Sequence, residues 1–139
     1  ATIFQGQATI SSGEDLFMTG TTKNGIRRGL LAFTFNKDDF PNDAQVECTE
    51  IRLHVAPSDH SVKVPEINLH RITSAWETSG SNRLTNLNGG AANQHDATWT
   101  HADYPRSTWQ EQGGDFADDI VATKFAAGDI HSFGNTLIM

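Results

Sequence analysis

The sequence predicts an all-β fold, an antiparallel β-sandwich of jelly-roll type, in one domain spanning residues 1–139. Short apolar runs recur with a period of two, and clusters of Gly, Asn, Asp, Ser and Thr separate them. Few windows repeat apolar residues at three and four, the spacing a helix needs.

The clearest strand runs from Thr49 to Val55. Thr49, Ile51, Leu53 and Val55 alternate with Glu50, Arg52 and His54, which sets an apolar edge inward and a charged edge toward water. Leu30, Leu31, Ala32, Phe33 and Phe35 read as a strand buried on both faces or nearly so. A third strand spans Glu66–Ile72, with Ile67 and Leu69 on one face, His70 on the other and Pro65 at its start. Shorter strands are expected over Ala1–Ile10, Leu16–Gly20, Ala97–Tyr104, Ile120–Phe125 and Asn135–Met139. Asn24-Gly25 supplies a turn, and residues 38–43 form a polar corner. The stretch from Ser74 to Asp96 reads as a long loop rich in Asn and Gly, a kind that is either functional or disordered.

The chain has 139 residues, a formal net charge of −7 and 37% hydrophobic residues. That length suits one domain, and the low apolar content suits a thin sandwich with broad polar loops. An acidic balance speaks against nucleic acid or an anionic membrane as partner, since both require a basic footprint. No apolar run reaches the roughly 18 residues of a membrane helix, so no membrane insertion is expected. Cys48 is the one cysteine; outside the cell an exposed thiol is a liability, so it is expected to be buried. The chain opens at Ala1 directly on a strand-like segment, as a mature secreted chain does after leader removal and as a chain cut at an arbitrary boundary also does.

Several stretches resemble the DNRLRE family, the disaggregatase-related domains grouped with family 96 carbohydrate-binding modules. They are Gly25-Ile26-Arg27-Arg28-Gly29-Leu30-Leu31-Ala32-Phe33, Asp43-Ala44-Gln45-Val46 leading into Glu50–Val55, Leu69–Glu77, Asp96-Ala97-Thr98-Trp99 and Gly113-Gly114-Asp115-Phe116. They stand in the family's order over roughly residues 14–139. The resemblance implies a non-catalytic β-sandwich module, secreted or at the cell surface, with polysaccharide as the partner in some members. Thr34 departs from the pattern, which places an acid after the Phe. Family members also continue past the position of Met139, which implies a sandwich closed with fewer strands, completed by another chain, or present as a fragment.

Carbohydrate-binding modules pack sugar C–H groups on aromatic faces and bond hydroxyls with flanking polar groups. Trp99, His101, Tyr104, Arg106 and Trp109 gather such side chains in one polar stretch and are the candidate polysaccharide site. The structural alternative is that Trp99 caps the core and Trp109 anchors a loop. Trp76, inside a family motif, reads as structural. Arg27 and Arg28 offer charge for an acidic glycan, but strand neighbours point to opposite faces, so only one lines a given surface. The simpler alternative pairs one with a carboxylate such as Glu14 or Asp15.

His54, His60, His70, His95, His101 and His131 lack tight ligand spacing. At most, His54 and His70 form a two-ligand pair on neighbouring strands. Structural calcium suits the acidic loops better, through Asp115, Asp118 and Asp119 or through Asp38, Asp39 and Asp43, though solvated acidic faces explain both clusters. Gly-x-Ser-x-Gly, His-Glu-x-x-His and phosphate-loop motifs are absent, so no enzyme is expected. Two functions follow: a polysaccharide-binding module, or an assembly subunit of a surface layer or filament, either as a homo-oligomer or with its sandwich completed by a neighbouring chain.

Overall fold

The computed structural model describes residues 1–13, 16–54, 67–79, 88–124 and 136–138. Eleven strands run through these residues: β1 (Thr2–Phe4), β2 (Ile10–Ser12), β3 (Gly20–Thr22), β4 (Gly25–Gly29), β5 (Arg52–His54), β6 (Ile67–Ile72), β7 (Gly90–Ala91), β8 (His101–Asp103), β9 (Ser107–Thr108), β10 (Phe116–Lys124) and β11 (Thr136–Ile138). Among the described residues the one helical element is a 3-10 turn over Lys37–Asp39. Every pairing is antiparallel, and the fold is the all-β sandwich that the alternation predicts.

The largest sheet has five strands in the order β3-β4-β1-β2-β7. Its central strand, β1, sets Ile3 opposite Arg28 and Phe4 opposite Arg27. Directly opposed residues share a face. Ile3, Ile26, Arg28 and Leu30 therefore look toward the core, while Phe4 and Arg27 look away. The core packs Ile3 and Leu30 of this sheet against Ala97, Trp99, Ala102 and Trp109, with Ile26, Ile72 and Trp76 at its margin. The opposing layer thus comes from the β8–β9 hairpin, the end of β6 and the segment that follows it.

The turn expected at Asn24-Gly25 forms one residue earlier, over Lys23-Asn24: Thr22 pairs with Gly25, the first residue of β4, whose φ is +107°, a backbone state that glycine adopts without strain. The polar corner also forms, with Asn36 Oδ1 accepting from the Asp38 amide at 3.2 Å. The segment Ala1–Ile10 does not stay one strand. It turns at Gln5-Gly6, where the Gln7 amide donates to the Phe4 carbonyl at 3.0 Å. The strand expected over Leu16–Gly20 forms later, as β3.

Two larger corrections concern residues 31–50. Leu30 is buried, but Phe33 and Phe35 are 59% and 72% exposed, so this stretch is not a strand covered on both faces. The last pairing of β1 with this segment is the Leu30 amide on the Ala1 carbonyl, at 2.7 Å. Beyond that point no described strand lies beside residues 31–35. Cys48 is exposed rather than buried, because residues 36–50 lie outside the sheets.

β5 keeps only the end of the strand expected over Thr49–Val55 and pairs with β11. β6 pairs with β10 instead, so among the described residues the strands that carry His54 and His70 are not hydrogen-bonded neighbours. Val55, Pro65, Glu66, Phe125, Met139, His60, His131 and residues 80–87 of the long loop lie outside the described residues, as does the His54 side chain. The described part of that loop contributes β7 to the large sheet.

Candidate functional site

The segment Asp96–Asp115 carries all five candidate residues and folds around two buried polar anchors. Asp96 is fully buried. Its Oδ1 accepts from the Ser79 amide at 3.0 Å and the Ser79 hydroxyl at 2.6 Å, and its Oδ2 from the Asn93 amide at 2.8 Å. Thr98, also fully buried, accepts at Oγ1 from the His101 amide at 3.0 Å and lies 3.1 Å from His101 Nδ1. These bonds turn the chain sharply at Trp99 and Thr100, so Trp99 lies on a bend rather than in the strand expected over Ala97–Tyr104. β8 begins only at His101.

That bend separates the candidate residues. Trp99 and Trp109 are 6% and 5% exposed and belong to the core. Trp109 Nε1 donates to the Thr98 carbonyl at 2.9 Å, which satisfies the indole donor inside the protein. Neither ring offers a free face, so the aromatic platform is not assembled, and both tryptophans take the structural roles of cap and anchor. His101 and Tyr104 do come together. The His101 and Tyr104 rings meet edge to face at 5.1 Å, both half-buried, and Arg106 is exposed on the turn that follows. His95 Nδ1 lies 3.3 Å from Asp103 Oδ1, within ion-pair range but not aligned as a hydrogen bond.

Sequence reasoning missed the stack that Arg28 makes beneath this segment. Its guanidinium lies 5.1 Å from the Trp99 ring centre and 4.8 Å from that of Phe116, and Nη1 donates to the Gly113 carbonyl at 2.7 Å. Burial lowers its pKa from the ordinary arginine value. Arg27, on the opposite face, covers the Phe4 ring at 5.3 Å. The two arginines part as neighbouring strand residues should, and neither takes a carboxylate among the described residues. Glu14 and Asp15 lie outside those residues.

The calcium clusters do not assemble either. Asp115 accepts from the Gln110 amide at 3.1 Å, the Glu111 amide at 2.8 Å and the Ser74 hydroxyl at 2.7 Å, so its oxygens serve as a loop clasp. Desolvation opposes its ionisation, but the amides of Glu111 and Gln110 and the Ser74 hydroxyl outweigh that and hold the carboxyl below its ordinary pKa. Among the described residues no three His, Cys, Asp or Glu side chains are grouped closely enough to hold a metal ion.

An apolar groove of about 430 Å³ is lined by Leu30, Leu31, Phe33, Ile51, Ile72 and Trp76, with Val121 of β10 also against it. No helix among the described residues is long and apolar enough to cross a membrane. Comparison of the chain with known protein families, curated proteins and solved structures finds no match in any of the three.

Proposed function

We propose that this chain is a non-catalytic module of a secreted or surface protein, acting as an assembly subunit whose sandwich packs against a neighbouring chain. The observation that carries this reading is the apolar surface left in water. Phe33, Phe35 and Val46 are exposed along residues 31–50, and Ile120 and Val121 along β10, with the groove between Phe33 and Val121. Exposed apolar side chains gathered at a groove, as Phe33 and Val121 are, mark interaction sites on soluble proteins. A dye that fluoresces on apolar surfaces, anilinonaphthalene sulfonate, tests it on the native chain. Uptake that falls severalfold in Phe33→Ser/Phe35→Ser, with the melting temperature unchanged, is expected. Absence of uptake by the native chain would remove the basis for this role.

Polysaccharide binding is the second reading. It is favoured by His101 on β8 and Tyr104 and Arg106 on the turn that follows it, and by the resemblance to carbohydrate-binding modules. It now rests on one half-exposed ring rather than three. Retention in polysaccharide affinity gels should fall in Tyr104→Ala and Arg106→Ala and persist in Trp109→Phe. If Tyr104→Ala and Arg106→Ala leave retention on every polysaccharide unaltered, glycan binding is excluded as a role of this turn.

A further inference from the structure

β4 is hydrogen-bonded on both sides, to β1 and to β3. After Leu30 the same chain continues through Leu31-Ala32-Phe33-Thr34-Phe35 without a turn or bend, as far as the Asn36 cap. Among the described residues, no backbone N–H or C=O of these five is hydrogen-bonded. An unbent run of Leu, Phe and Thr with open amides and carbonyls is a template for an added strand. The apolar groove lies directly beside it, since Leu31 and Phe33 form part of its wall. An added strand would pair its backbone with residues 31–35 and lower alternate side chains into that groove.

Charge narrows the choice of occupant. Asp38, Asp39, Asp43 and Glu47 follow the open segment, and Asp118 and Asp119 precede Val121 on β10; all six are exposed. Glu50 is paired with Arg52. Among the described residues, Lys37 follows the same open segment and Arg71 lines the groove, two cations against those six carboxylates. A second copy would bring the same excess of carboxylates against this face. A basic strand would meet it with complementary charge.

We propose that residues 31–35 are the docking edge for an extended segment of another polypeptide in which apolar residues alternate with lysine or arginine. This rests on the assembly-subunit reading and names the chemistry of its partner. An end-blocked, fluorescein-labelled (Lys-Val)4 peptide titrated into the full chain, followed by anisotropy, tests it, with (Glu-Val)4 as counterpart. Saturable binding of the lysine peptide is expected, with the glutamate peptide at least tenfold weaker. Thr34→Pro removes an amide from the middle of the edge without altering charge or groove, and should weaken the lysine peptide at least tenfold while the thermal melt stays unchanged.

Equal binding of the two peptides, binding of neither, or indifference to Thr34→Pro would overturn the proposal. So would concentration-dependent self-association without peptide that Thr34→Pro abolishes, because the occupant would then be a second copy. Dye uptake without peptide binding would leave the assembly reading standing and sink this one alone. Absence of dye uptake would sink both.

Discussion

Arg27 and Arg28 are adjacent and identical in chemistry, yet their surroundings differ. Replacing Arg28 with Met removes a charge-assisted bond to the Gly113 carbonyl and two ring contacts, and should cost about 2 kcal/mol in urea unfolding. Arg27→Met loses one ring contact and a weak approach to the Met18 sulfur, and should cost under about 1 kcal/mol. Equal losses would contradict the stack. Its other side depends on Gly113, where φ is +95° and a Cβ would stand 2.7 Å from Arg28 Nη1 and 2.8 Å from Trp99 Cζ2. Gly113→Ala should therefore destabilise by about 2 kcal/mol or more, the strained backbone and the collision acting together. Asp115 gives the site a pH signature. Its folded pKa is depressed, so its contribution is complete above the ordinary carboxyl value of about 3.9 and is lost as pH falls through the folded value. Asp115→Asn should lower the melting temperature at pH 7 and flatten its fall below about pH 4. That Arg27 and Arg28 face apart follows from strand alternation alone. The rings above Arg28 lie far along the chain, and no local pattern could have assigned them.

Strands were legible where alternation was clean and had a partner to satisfy it. β6 and β11 lie within a residue of their expected bounds. β10 was expected from Ile120 and begins at Phe116, because Ala117-Asp118-Asp119 breaks the alternation. The ladder absorbs the break with register shifts between Phe116 and Ile120 and between Ile120 and Ala122, which place the two aspartates outside regular pairing. Residues 31–35 failed in the opposite way. Their composition suits a doubly covered strand, but composition reports a tendency to be covered and names no partner. Amide exchange measures the difference. Ile3, in the strand between β2 and β4, should exchange on the order of a thousandfold or more slower than the amides of Leu31–Phe35, relative to their intrinsic rates. Comparable protection in both places would mean that the open edge is paired in solution.

At the scale of the molecule, the apolar residues divide into two populations that the sequence does not separate. One forms the core of Ile3, Leu30, Ala97, Trp99, Ala102 and Trp109. The other, with Phe33, Phe35 and Val46, faces water. A low apolar content made a thin sandwich legible, and aromatic clustering drew attention to Trp99 and Trp109. Among the described residues the two most exposed aromatic rings are instead those of Phe33 and Phe35, inside a run that reads as buried. The two populations should respond oppositely to truncation. Trp99→Ala or Trp109→Ala opens a cavity in close-packed core and should cost about 3–5 kcal/mol. Phe33→Ser, Phe35→Ser and Val46→Thr remove no core contact, and each should change the unfolding free energy by no more than about 0.5 kcal/mol. Because the sites lie outside the core, their sum should stay small in the triple variant, which should also lose most of its dye uptake and remain soluble at higher concentration. A triple variant destabilised by more than about 2 kcal/mol would mean that these side chains are covered in the native chain, since surface positions lack the means to produce a loss of that size.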